Sequence, residues 1–145
     1  MAANENEKRY YNAHYPRAGI GNASSFLVSG TPWLTGSATI AAQTTEKVEF
    51  PRIAREVVIV NTSDPDLKIY FADQENQSLD NLHCVTLTTN RDSFTFRCKC
   101  KEIFIYNLGG DGSAGSTEGS YELYAELTSV AASEMYTLTG SGLTD

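Results

Sequence analysis

The stretch REVVIVNTSDPDLKIYFA, residues 55–72, decides the fold class of this chain. Its first seven residues are dense in β-branched side chains, and a cluster of turn-forming residues follows them. In its second half, Leu67, Ile69 and Phe71 share one strand face, because side chains alternate along a strand. Lys68 and Tyr70 take the opposite face. The stretch therefore predicts two strands joined by a hairpin or a tight corner.

The same period-two pattern continues on both sides of this stretch. Strands are predicted at 37–43, 47–50, 55–61, 67–72, 82–88, 93–99, 102–107 and 120–128. The last of them has one apolar face and one solvated polar face. The apolar face holds Tyr121, Leu123, Ala125 and Leu127, and the polar face holds Glu122, Tyr124 and Glu126. One helical turn is conceivable, within 73–82.

About eight short strands at roughly ten-residue spacing predict an all-β fold, an antiparallel two-sheet sandwich with an extended N-terminal arm. An eight-stranded jelly roll fits this pattern best, and an immunoglobulin-like sandwich is the competitor. The usual Cys–Trp–Cys order of immunoglobulin domains is missing, since Trp33 precedes every cysteine. The glycine-rich segment 109–119 is predicted to be an exposed hairpin connection between the strands at 102–107 and 120–128.

The chain divides into an N-terminal arm at 1–36, a β-sandwich domain at 37–130 and a polar C-terminal tail at 131–145. The arm and tail carry aromatic side chains without a periodic face, and such side chains are typical of protein interfaces. The candidate interface residues are Tyr10, Tyr11, Tyr15, Phe26, Trp33 and Tyr136. We expect the arm to contribute more to assembly than to folding, so that a chain beginning at Ser37 still folds.

Composition excludes several classes of partner. The chain has 145 residues, which suits one domain. Its 11 basic and 18 acidic residues give a net charge of −7, which disfavours binding to nucleic acid. Apolar runs are far shorter than the roughly 20 residues that cross a bilayer, and the first residues lack the apolar region of a secretory signal. We expect neither a nucleic-acid partner nor a membrane.

Chemically active side chains are few. The three cysteines, Cys84, Cys98 and Cys100, lack the spacing of a zinc site, and we expect them to be unliganded and unbridged. Cys84 and Cys98 are interpreted as small core residues. His14 and His83 have no nucleophile motif beside them. We therefore expect no metal, no cofactor, no catalytic residues and no enzymatic activity.

Three stretches carry a resemblance to a known class of protein. They are FPRIAREVVIVNTSDPDLKIYFA (50–72), DSFTFRCKCKEIFIYN (92–107) and GSYELYAELTSV (119–130). Together they resemble the body of small single-domain virion proteins of the jelly-roll type, which decorate or cement capsids or plug their vertices. The resemblance implies a homo-oligomer, a trimer or a pentamer, that sits on major capsid protein or other virion proteins. It implies no catalytic residues.

The resemblance therefore implies a non-enzymatic virion structural protein that is made in the host cytoplasm and lies on the outer capsid surface. The acidic balance agrees with this position, because it disfavours adhesion to packaged nucleic acid. The alternative is a carbohydrate-binding β-sandwich of a host-recognition fibre. Such modules stack sugars on exposed aromatic rings, and here the single tryptophan is Trp33.

Overall fold

The computed structural model describes residues 30–73, 83–88, 91–109 and 118–138. Within these ranges the chain is all-β and antiparallel, and no α-helix occurs. The strands are β1 (Thr31–Ile40), β2 (Thr45–Asn61), β3 (Leu67–Tyr70), β4 (Val85–Leu87), β5 (Ser93–Phe96), β6 (Cys100–Asn107) and β7 (Gly119–Ala131). One turn of 3-10 helix follows at Ala132–Glu134. The predicted all-β class is confirmed.

The seven strands form one continuous hydrogen-bonded sheet in the order β1-β7-β2-β6-β3-β4, and β5 pairs with β2 as well. Strand β2 serves both halves of this sheet. Its residues 45–49 pair with β6, whereas 57–60 lie between β7 and β5; Ala54 has partners in both β6 and β7. The half built on the start of β2 continues into β3 and β4, and the half built on its end continues into β7 and β1.

Strand β2 joins two segments that the sequence predicted as separate strands, 47–50 and 55–61. The junction is irregular, because the pairing register with β6 shifts between Glu49 and Ala54. Pro51 lies in this interval, where its missing N–H disrupts no regular ladder. The prediction of eight strands becomes seven described strands chiefly through this merger.

One hydrophobic core unites both halves of the sheet. Val57 and Ile59 of β2 belong to the same buried cluster as Ile103 and Ile105 of β6. Each side chain is fully buried, and together with its neighbours it supplies most of the apolar area that folding removes from water. The predicted inner face of β7 (Tyr121, Leu123, Ala125 and Leu127) is confirmed, since all four side chains are buried.

Strand β3 and residues 103–107 of β6 are buried on both faces, including the face of β3 that holds Lys68 and Tyr70. Tyr70, Phe104 and Tyr106 form a second buried cluster, with Cys84 and Leu108 against it. Aromatic side chains in this cluster cover the face that would otherwise meet water. Burial on both faces therefore makes these two strands the most enclosed part of the described sheet.

One predicted connection takes the second of its two predicted forms, and another prediction is wrong. The stretch 55–72 was predicted to be a hairpin or a tight corner, and it forms a corner, because β6 lies between strands β2 and β3 and the two are not paired with each other. The connection from β6 to β7 is not a hairpin either, because both strands flank β2. Most of the glycine-rich loop, 110–117, and most of the candidate helical turn, 74–82, lie outside the described residues.

The predicted domain boundaries fall inside packed structure. Strand β1 begins at Thr31 and pairs with β7, so a limit for the arm at residue 36 falls within a strand. At the other end, Met135 is buried against Ile53 and Val130. The first residues of the predicted tail therefore pack on the sheet, and Lys101 Nζ donates hydrogen bonds to the Met135 carbonyl at 3.0 Å and to a threonine hydroxyl further along.

Candidate contact surface

Strand β1 forms an edge of the described sheet, and none of its ten residues is charged. Edge strands usually carry charged side chains that prevent pairing with other chains. Leu34 lies on the outer face of β1 with 77% of its surface exposed. Strand β1 is therefore an edge strand that lacks the charged side chains that would prevent pairing with another chain, and it exposes a large apolar side chain to water.

Leu34 begins a row of uncharged side chains that crosses four strands on the outer face. Strand register places it opposite Tyr124 of β7, Tyr124 opposite Val58 of β2, and Val58 opposite Thr95 of β5. Directly opposed side chains in antiparallel strands lie about 5 Å apart at Cβ. Tyr124 and Val58 are only half-buried. We call Leu34, Tyr124, Val58 and Thr95 the outer row.

Charged side chains flank the outer row on one side. A β-bulge places Arg55 between Ala54, which faces Leu127, and Glu56, which faces Glu126. Bulges re-aim the side chain at the extra position. Here the Arg55 guanidinium lies 2.9 Å from the Glu126 carboxylate. The bulge therefore brings a cation to Glu126, whose opposite residue across the register is another carboxylate, Glu56.

Glu126 is held by two donors from different parts of the chain. The Gly30 N–H donates to its carboxylate at 3.0 Å, and Arg55 forms the ion pair. The Gly30 hydrogen bond, and after it the Arg55 side chain, hold the pKa of Glu126 below its usual value of 4.5. Sequence alternation predicted a solvated face for Glu126; its side chain is only 14% exposed, whereas Glu122 on the same face is exposed.

The predicted interface residues lie in different environments. Trp33 is half-buried and packs edge-on against Phe50, with ring centroids 5.4 Å apart, so it belongs to its own sheet. Tyr136 is 63% exposed. Tyr10, Tyr11, Tyr15 and Phe26 lie outside the described residues. The structure does not bring Trp33 and Tyr136 together in one patch.

The cysteines differ from one another in burial. Cys100 is buried in the main core, Cys84 is partly buried and Cys98 is exposed, so the interpretation of Cys98 as a core residue is wrong. The strand predicted at 93–99 ends at Phe96, which leaves Cys98 in the connection between β5 and β6. Within the described ranges all three thiols are free, and no group of three potential metal ligands lies close together.

Comparison with protein-family models, curated proteins and solved structures yields no match for this chain. In the part of the chain that the structure describes, no helix is long and apolar enough to cross a membrane. The functional argument therefore depends on the surface itself.

Sequence reasoning missed the outer row. Leu34 lies within the segment interpreted as an arm, and Val58 lies in the strand predicted at 55–61, whose dense β-branched residues gave no sign of a half-exposed position. Tyr124 was assigned to a solvated face. The one local signal was the absence of charge over Thr31–Ile40, which is unusual for an exposed strand.

Proposed function

We propose that this chain is a non-enzymatic virion structural protein that decorates or cements a capsid, or fills its vertices, as a homo-oligomer. The observation that carries the proposal is the outer row, which ends at an uncharged edge strand. A surface of this kind is suited to contact with another protein. The resemblance of 50–72, 92–107 and 119–130 to small virion proteins supplies the biological setting.

A second copy of the chain is the proposed occupant of the outer row and the β1 edge. Two copies with a net charge of −7 repel each other, and the repulsion is smallest where the approaching surfaces carry no charge. Leu34, Tyr124 and Val58 supply apolar area there. Truncating a side chain that such a contact buries centrally typically costs about 2 kcal/mol of binding.

We further propose that the sheet is a two-layer sandwich of the jelly-roll type. The single core shared by β2, β6 and β7 supports two layers. Attachment to major capsid protein on the outer surface of the particle is part of the same proposal, and it uses surface that the oligomer leaves open.

The test compares three full-length proteins, the native chain, Leu34→Glu and Thr86→Glu, by size-exclusion chromatography with light scattering. Thr86 is exposed on β4 and lies outside the outer row, so it controls for the added charge. We expect the native chain and Thr86→Glu to be trimers or pentamers and Leu34→Glu to be monomeric with an unchanged circular dichroism spectrum. Binding to purified particles is then measured for each protein.

A native chain that is monomeric at micromolar concentration contradicts the homo-oligomer. Equal assembly of Leu34→Glu and the native chain contradicts the assigned surface. Binding of a glycan by the monomer, with no affinity for particles, contradicts the virion role and supports the carbohydrate-binding alternative. The half-buried position of Trp33 against Phe50 gives that alternative no exposed tryptophan in the described residues.

A further inference from the structure

A basic pocket lies beside the outer row, at the connection from β5 to β6. Its lining residues are Arg55, Glu56, Arg97, Cys98 and Lys99. Three of these side chains are cationic and one is a carboxylate, although the whole chain has a net charge of −7. The pocket therefore reverses the prevailing sign of charge, and an exposed thiol forms part of its wall.

Two structural features assemble this pocket. The β2 bulge directs Arg55 outward, and its guanidinium is fixed by Glu126 at 2.9 Å. Strand β5 ends at Phe96, and Arg97 then reaches Glu56 at 3.3 Å while most of its side chain stays exposed. The ion pairs hold two cations beside Cys98 instead of leaving them free to move away on long flexible side chains.

We propose that Cys98 is a thiol-modification site that accepts small anionic disulfides, of which glutathione disulfide is the cellular example, with Arg55, Arg97 and Lys99 attracting the anion. In the reaction the Cys98 thiolate attacks one sulfur of the disulfide. A sulfur–sulfur bond to Cys98 forms, the original disulfide bond breaks, and the second half leaves as a thiolate with the bonding electron pair.

The neighbouring cysteine assists this chemistry. Hydrogen bonding with the Cys100 thiol lowers the pKa of Cys98 from its usual value of 9.0, against the opposing effect of partial desolvation. The same hydrogen bond, and then burial, raise the pKa of Cys100. Cys100 is fully buried. The pair therefore has one accessible thiol whose pKa is lowered and one buried thiol whose pKa is raised.

Two chromogenic disulfides that differ in charge, one anionic and one neutral, test the proposal on the whole chain. The anionic probe is 5,5′-dithiobis(2-nitrobenzoate), and the neutral probe is 4,4′-dithiodipyridine. The same thiolate attacks both probes, so the ratio of the two rates reports attraction of the anion and not thiol exposure. We expect peptide mapping to find the first label on Cys98, and we expect incubation with glutathione disulfide to add one glutathionyl group there.

Charge variants locate the source of the attraction. Arg97→Ala combined with Lys99→Ala should lower the anionic-to-neutral rate ratio on the order of tenfold, whereas Arg97→Lys should preserve it. Lys47→Ala, which removes a cation outside the pocket, is the matched control. For the native chain, 0.5 M salt should lower the ratio as well, because salt screens exposed charges, and this measurement needs no variant.

First labelling of Cys84 overturns the proposal. So does a rate ratio that neither salt nor the double variant changes, because the basic side chains would then have no part in selecting the disulfide. Failure of the homo-oligomer test leaves this result unaffected, since every group in the pocket belongs to one chain.

Discussion

The side-chain amide of Asn61 donates a hydrogen bond to the main-chain carbonyl of Leu87, 3.1 Å away, across 26 positions of sequence. The same amide nitrogen also contacts the carbonyls of Pro65 and Thr88. The side-chain oxygen Oδ1 of Asn61 accepts hydrogen bonds from the N–H and the hydroxyl of Ser63. Asn61 is completely buried and so fixes the corner after β2 to the end of β4.

Replacing this amide with a carboxylate should be severely destabilising. In Asn61→Asp a charged oxygen would face three carbonyl oxygens without a donor, and we expect a loss of about 3 kcal/mol or more in the free energy of unfolding at pH 7. The loss should shrink as the pH falls, since a protonated carboxyl again donates one hydrogen bond. Urea unfolding at pH 7 and pH 4 measures both effects. Thr86→Asp, an exposed change of the same charge, should alter stability by less than about 0.5 kcal/mol.

The stabilising effect of Tyr121 on the fold is expected to be lost at alkaline pH. Its hydroxyl donates to Glu46 at 2.7 Å, and burial, followed by this hydrogen bond, raises the pKa of Tyr121 above its usual value of 10.0. The raised pKa means that the folded chain holds the phenol proton more tightly than the unfolded chain does. The contribution of the Tyr121 hydroxyl to the free energy of unfolding is therefore complete below pH 10 and declines above it.

We therefore expect Tyr121→Phe to lower the free energy of unfolding by about 1–2 kcal/mol at neutral pH. The difference in free energy of unfolding between the native chain and the variant should become smaller above pH 10. Chemical unfolding at pH 7, 9, 10.5 and 11.5 gives the comparison, with the exposed Tyr136→Phe as the control. A constant difference across this series would contradict the assigned role of the phenol proton.

For Glu126 we expect stability to be lost at acidic pH, whereas for Tyr121 it is lost at alkaline pH. Its lowered pKa means that it stabilises the folded chain above pH 4.5 and that the contribution is lost as the pH falls further. Glu126→Gln should be less stable than the native chain at pH 7, and the two should converge below pH 4.5. Glu122→Gln, on the same strand face but exposed, should follow the native chain at every pH.

Gly36 allows β1 to approach β7 closely. A Cβ atom at this position would lie 2.6 Å from the Tyr121 carbonyl oxygen, which is main chain and cannot rotate away. Gly36→Ala should therefore destabilise the fold by about 2–3 kcal/mol, through displacement of the edge strand. Ala38→Ser adds one heavy atom to an exposed position of the same strand and should change the unfolding midpoint little. Equal midpoints for the two variants would contradict this account.

The position of β1 bears on the expectation that a chain beginning at Ser37 still folds, which stays a prediction. Such a chain lacks Trp33, which packs on Phe50, and six residues of strand that pair with β7. We expect it to be less stable, by about 2–4 kcal/mol, than a chain beginning at Gly30. Thermal melts of both chains provide the test, and identical melts would show that the first six residues of β1 add nothing to folding.

Several structural features follow from the sequence because they depend on neighbouring residues alone. The alternation over 120–128 identifies the buried face of β7, since side chains of a strand take opposite sides whatever its partner. The lack of a 3.6-residue period predicts the absence of long helices in the described ranges. Val85 and Leu87, two positions apart in the strand predicted at 82–88, share a face for the same reason, and both contact the main core.

The partners of these strands were decided by tertiary structure. Local alternation fixes which way a side chain points, but it does not specify which distant strand lies alongside, because pairing depends on the packing of the whole core. The bulge at Arg55 and the interval around Pro51 therefore divide β2 between two halves of the sheet in a way that no local pattern shows. The outer row arises in the same manner: Leu34, Tyr124 and Val58 are far apart in sequence, and only the register of β1, β7 and β2 makes them neighbours.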